Sequence, residues 1–141
     1  MWPFETVELG NKIADGNAMV KEYRKEAAGK TTPLASSVRP LPVLLCTMRY
    51  LNTRVIDLFR VEGRYTKKHW NEYIQDRLRS ILKDLRTQQL CELGAVQVLE
   101  NILRYSIVVV PLLMAHLEVE DFKRMKHNNE KNLQNNAFQV V

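Results

Sequence analysis

Trp70, Ile74, Leu78, Ile81 and Leu85 follow one another at intervals of four, four, three and four residues. That spacing sets all five on one face of an α-helix. No strand aligns them, because strand side chains alternate faces residue by residue. Each large apolar side chain contributes about 1.5–3 kcal/mol only when buried, so this stripe obliges the helix to have neighbours. Thr66 is its expected cap, and the helix is expected to run from there to about Glu92, stopped by Leu93 and Gly94.

The pattern recurs on both sides. Val43, Leu44, Thr47, Leu51, Val55 and Leu58 form a second stripe, on a helix expected to start near Leu41 and stop before Gly63. Pro40 and Pro42 suit its start, where a missing N–H has no helical partner. Asn17 is a candidate cap for a short helix over residues 18–28, ended by Gly29. Pro33, Pro40 and Pro42 keep the intervening segment a loop. Downstream, a helix is expected from Ala95 to about Leu117. Pro111 should kink it by deleting one backbone bond and crowding the Ile107 carbonyl. A last helical start at Glu120–Lys126 leads into an Asn-rich stretch expected to fray after Asn128. The reading is an irregular segment 1–16, a helical domain 17–127 and a tail 128–141. The fold class is all-α, an antiparallel helical array of α-solenoid kind.

Composition agrees: glycine and proline number five each, too few for a many-stranded sheet. Charge is uneven. Residues 21–90 hold 15 Lys/Arg against 7 Asp/Glu, a basic middle that suits an acidic partner, a nucleic-acid backbone or simply a solvated face. Cys46 and Cys91 have no metal or disulfide spacing and read as reduced, buried thiols of an intracellular protein. The start "MWPFETVELG" has neither the basic nor the apolar region of a signal peptide. The longest apolar run, Ile107–Ala115, is nine residues, short of the roughly 20 that cross a bilayer, so no membrane insertion is expected.

Catalytic chemistry finds no foothold. His69, His116 and His127 make no metal-binding motif, and no nucleophile elbow is present. "AAGKTT" imitates the end of a phosphate-binding loop but lacks the first glycine and follows a helical pattern. Asp76 and Asp84 are separated by about 12 Å of helix, too far for a carboxylate dyad. No enzyme, metal, cofactor or small-molecule substrate is expected.

The polar side of the Trp70 helix is more informative. Tyr73, Arg77, Ser80, Asp84 and Gln88 step by four, three, four and four, forming a stripe beside the apolar face. Arg77 and Asp84 are two turns apart, so each is expected to reach another helix or a backbone carbonyl. Asp76, Arg79, Lys83 and Arg86 line the outer side, Asp76 and Arg79 within reach of a weak pair. With Lys67 and Lys68, Arg79, Lys83 and Arg86 offer a possible basic contact surface. Lacking interleaved aromatics, it would touch phosphates without reading sequence.

Four segments in order, "MVKEYRKEAAGK" (19–30), "VRPLPVLLCTMRYL" (38–51), "DRLRSILKDLRTQQL" (76–90) and "LENILRYSI" (99–107), resemble the GANP family. This is the germinal-centre-associated nuclear protein domain, also called the leucine permease transcriptional regulator family. The likeness extends weakly through residues 122–134 and so covers most of the chain from Val20. The first segment also looks like the small centrosome-associated members. The resemblance implies the N-terminal part of a PCI-type helical repeat region: a scaffold that couples transcription to nuclear mRNA export, or a centrosome or spindle regulator. Implied partners are subunits of an mRNA-export or PCI-type complex; weak non-specific RNA contact is an expectation of the basic residues alone. The implied location is nuclear, with cytoplasmic or centrosomal alternatives. Its recurrent positions fall on Arg39, Pro40, Asp76, Arg77, Arg79, Asp84, Gln88, Glu100 and Arg104, the last two an i,i+4 pair that would complete the polar network. The family's cysteine-proline motif, which usually precedes this region, is missing, although Phe4-Glu5 echoes the residues just after that motif. The chain also stops where later helices and the winged helix would begin. A stack open at that end exposes an apolar face, so marginal stability or self-association is expected.

Overall fold

A computed structural model describes residues 19–25, 34–55, 67–90, 92–115 and 119–137; the Lys68 side chain is outside that description. Among the described residues all regular structure is helical, with no strand. The helices are α1 (Leu41–Tyr50), α2 (Lys67–Thr87), α3 (Leu93–Arg104), α4 (Val110–Met114) and α5 (Val119–Ala137). The chain divides into two compact units, Met1–Gln89 and Leu90–Val141.

In the first unit α1 packs on α2. Pro40 holds the extended backbone that precedes α1, and Pro42 sits in its first turn. A π-helical turn at Leu51–Val55 continues α1, so Leu44, Met48, Leu51 and Val55 form its buried edge. The stripe is thus rotated from expectation: Val43 is exposed and Met48 takes the core position. Cys46, expected to be buried, is exposed because it lies off that edge. Leu58, the Gly63 break, Cys91 and residues 1–18 lie outside the described residues.

All five apolar residues of the α2 stripe are buried, and the Trp70 indole N–H donates to the Val55 carbonyl at 2.9 Å, tying α2 to the end of α1. The helix stops at Thr87 rather than Glu92. Gln88 donates its side-chain amide to the Asp84 carbonyl, and Gln89 takes a positive φ of 49°, the left-handed turn that ends helices. Residues 19–25, expected within a helix, are not helical, and their polar groups bond to α2 instead.

In the second unit Leu93 and Gly94 begin α3 instead of ending α2, with Glu92 supplying the extended cap. Pro111 is accommodated by a π turn over Tyr105–Val109, closed by the Val110 N–H on the Tyr105 carbonyl. An ordinary α turn there would press the Ile107 carbonyl against the proline ring. Ala95, Val98, Ile102, Tyr105, Val110 and Met114 face inward, and α5 packs against α3 and α4. Burial pushes the Tyr105 phenol well above its ordinary pKa of 10.0, so it stays neutral. The stretch Leu93–Leu112 is 20 residues long with mean hydropathy 1.4, a third of it buried. It therefore reaches bilayer-crossing length and composition, which the nine-residue run did not. Glu100 and Arg104 interrupt it near its middle.

The fraying expected after Asn128 is not found, since α5 continues to Ala137. Asn129 is buried and donates its side-chain amide to the Ser106 carbonyl at 3.0 Å, anchoring the Asn-rich half where an unpaired carbonyl would be costly. Asn129→Ala is expected to lower stability by about 1–3 kcal/mol in urea unfolding followed by circular dichroism. An unchanged midpoint would mean that this part of α5 is not anchored.

Candidate functional site

The polar groups of α2 converge on Asp84. Its carboxylate is buried, with Lys21 Nζ 2.6 Å from Oδ1 and Arg39 Nε 2.6 Å from Oδ2. The Arg39 backbone N–H also points at Oδ2, at 3.4 Å. One helical turn earlier, Ser80 Oγ accepts from the Arg39 guanidinium at 2.9 Å; one turn later, Gln88 donates to the Arg39 carbonyl at 2.8 Å. Ser80, Asp84 and Gln88 thus form a row at i, i+4 and i+8, and that row binds the side chain, N–H and C=O of one residue. Arg39 can lie flat against the row because the residue before a proline favours extended backbone.

Lys21 carries the network further by donating to the Ser37 carbonyl, at the end of a 3₁₀ turn over Ala35–Ser37. Elsewhere on α2, Asp76 accepts the Tyr23 N–H at 3.1 Å and pairs with Arg77. Lys83 donates to the Arg24 carbonyl at 2.9 Å and stands 6.0 Å from the centre of the Tyr23 ring. Residues 21–24 are therefore held across α2 by both backbone and side chains. The buried Arg77 guanidinium also lies 4.6 Å from the Tyr73 ring centre, a cation–π stack that removes its charge from water.

Burial raises the pKa of Asp84, but the hydrogen bonds from Lys21 and Arg39, with their charges, outweigh it and leave the pKa below its ordinary value of 3.8. A carboxylate so held is ionised at neutral pH and is a poor proton acceptor. It serves as a clamp. Among the described residues no three His, Cys, Asp or Glu side chains converge in a way that could hold a metal.

The structure gathers Arg39, Ser80, Asp84 and Gln88 into one cluster, and Tyr73, Asp76 and Arg77 into another. Asp84 reaches the loop before α1 and the 19–25 segment rather than another helix, and Asp76 pairs with Arg77 rather than Arg79. Pro40 contributes backbone direction only. Glu100 and Arg104 form their own exposed pair at 2.6 Å in the second unit. Of the basic surface, Lys67, Arg79 and Arg86 are exposed, while Lys83 is drawn in by Arg24. Sequence reasoning gave Lys21, Ser37 and Tyr23 no site role. No local signal marks them, since Lys21 and Asp84 are 63 residues apart.

A model described as the SAC3/GANP family matches residues 1–140. Protein xmas of Drosophila melanogaster is 34% identical over 117 residues, 82% of this chain. SAC3 family protein 1 of Schizosaccharomyces pombe is 33% identical over 116 residues, 78% of this chain. SAC3 family protein B of Arabidopsis thaliana is 28% identical over 121 residues, 84% of this chain. The matched region is 6% of the length of the Drosophila and Arabidopsis proteins and 11% of the fission-yeast protein. No solved structure matches.

The clamp has a pH signature. With the folded pKa below the unfolded one, the unfolded chain takes the proton first as pH falls. The Asp84 contribution is therefore complete above 3.8 and is lost as pH drops through the lower folded value. Urea midpoints of the parent chain are expected to fall across that interval, and Asp84→Asn is expected to fall less steeply there. Parallel acid limbs would assign the loss to other carboxylates.

Proposed function

The chain belongs to the SAC3/GANP family, and on that footing we propose that it is a non-enzymatic helical scaffold serving nuclear mRNA export through protein–protein contacts. The observation that carries the reading is the family match over nearly the whole chain. The polar geometry is compatible with it: Asp84, Arg39, Ser80 and Gln88 direct their hydrogen-bonding groups at one another and at backbone. Groups so engaged fix the positions of segments; they do not turn over a substrate. The partners would be subunits of an mRNA-export or PCI-type complex, and the place of action the nucleus.

The test is recovery of the tagged chain from nuclear extract, with bound proteins identified by mass spectrometry. Recovery of mRNA-export subunits is the expected outcome. Centrosomal proteins in their place would favour the centrosome or spindle role. Chaperones alone would count against any scaffold reading.

One observation favours a second reading, a phosphate-contacting RNA module: Arg79 and Arg86 are exposed on α2 and Lys67 is exposed at its start. The scaffold reading expects weak binding to unstructured RNA, with a salt dependence that Arg79→Glu/Arg86→Glu leaves unaltered. If both arginines contact phosphates, the double variant reduces the logarithmic salt slope by about 1.4. A fluorescence-anisotropy titration across salt concentrations separates the two.

A further inference from the structure

The outward side of α3 and α4 is apolar, and its exposed residues are placed nearly symmetrically in sequence. Leu93, Val96, Ile107, Val108 and Leu112 are all at least half exposed. They share one side of the helix with Glu100 and Arg104, opposite Val98, Ile102, Tyr105 and Val110. Counted from the level of Ile102, Glu100 lies two residues before and Arg104 two after, and Val96 and Val108 lie six before and six after. Gln97 and Ile107 are related in the same way. Leu93 is nine before and Leu112 ten after, and the extra residue of the π turn at Tyr105–Val109 absorbs the difference.

Such a pattern is complementary to itself when a second identical helix lies antiparallel across it. A two-fold axis at the level of Ile102 sets Val96 against Val108 of the other copy and Leu93 against its Leu112. It sets Glu100 against Arg104 in both directions. The charge order is what selects this partner, since the two copies make two Glu100–Arg104 pairs and no like charges face each other. A parallel arrangement would oppose Glu100 to Glu100 and Arg104 to Arg104.

We propose that this face is an isologous docking surface for a second copy of the chain, packed antiparallel through α3 and α4. The exposed apolar residues supply the attraction, and the Glu100–Arg104 pairs supply orientation and register.

The test is sedimentation equilibrium of the full chain and its charge variants over a range of concentrations. The parent is expected to shift reversibly from monomer to dimer. Glu100→Arg alone and Arg104→Glu alone each set like charges opposite one another, and each is expected to weaken self-association by about tenfold or more. Mixing those two variants opposes arginines to glutamates throughout, so the mixture is expected to regain the parent's association. The double exchange Glu100→Arg/Arg104→Glu keeps complementarity within and between copies and is expected to dimerise as the parent does, which separates loss of docking from loss of folding. A parent that stays monomeric overturns the proposal, and so does a mixture that associates no better than its components. A monomer that instead sediments with phosphatidylcholine vesicles assigns the face to lipid and likewise overturns it.

Discussion

A buried carboxylate is the constraint on which the first unit depends. Asp84 has left water, and the solvation it gave up is replaced by Lys21, Arg39 and the Arg39 N–H. The two cations are not equivalent. The Arg39 side chain is 14% exposed, so its pair with Asp84 lies mostly out of solvent, whereas Lys21 is 39% exposed and its attraction is weakened by water and salt. Removing the better-buried partner strands a charge in a poorly solvating place, the most damaging change such a pair can undergo. The pair matters through its position, because it joins the loop before α1 and the 19–25 segment to a helix already fixed by its apolar stripe.

Two kinds of surface arise from this use of polar groups. Where α2 turns its polar stripe inward, Ser80, Asp84 and Gln88 are engaged, and the exposed cations among the described residues of that helix include Lys67, Arg79 and Arg86. Where α3 and α4 turn outward, the surface is apolar around the Glu100–Arg104 pair. The first is a row of polar groups engaged with one another and with backbone, and the second is an apolar face around an exposed ion pair.

The sequence made the two central helices legible because burial of one face imposes a period on the residues themselves. The α2 stripe of Trp70, Ile74, Leu78, Ile81 and Leu85 could be read without a partner in view, and so could the polar row beside it. The identities of the partners could not. Arg39 lies 45 residues from Asp84, and no local spacing encodes a contact of that range. Residues 19–25 show the opposite failure. Their composition suits a helix, but Tyr23 offers its N–H to Asp76 and Arg24 its carbonyl to Lys83, so α2 supplies bonds that a helix would have satisfied internally. The Asn-rich end of α5 misled similarly. Asparagine is a poor helix former, yet the buried Asn129 finds a carbonyl in the turn opened ahead of Pro111.

The sequence by itself determined that this chain is helical, which face of α2 carries the core, and which side chains share the polar row beside it. Those properties derive from the fixed geometry of a single helix. Only the tertiary structure decided that Met48 rather than Val43 faces the core of α1, that Asp84 binds Lys21 and Arg39, that residues 19–25 cross α2 in non-helical form, and that Pro111 is met by a π turn. The binding of Asp84 and the course of residues 19–25 are choices between local and distant hydrogen-bond partners, and the π turn leaves the Ser106 carbonyl to the distant Asn129. Such choices are made by which groups lose water when the elements pack, a quantity no single element contains.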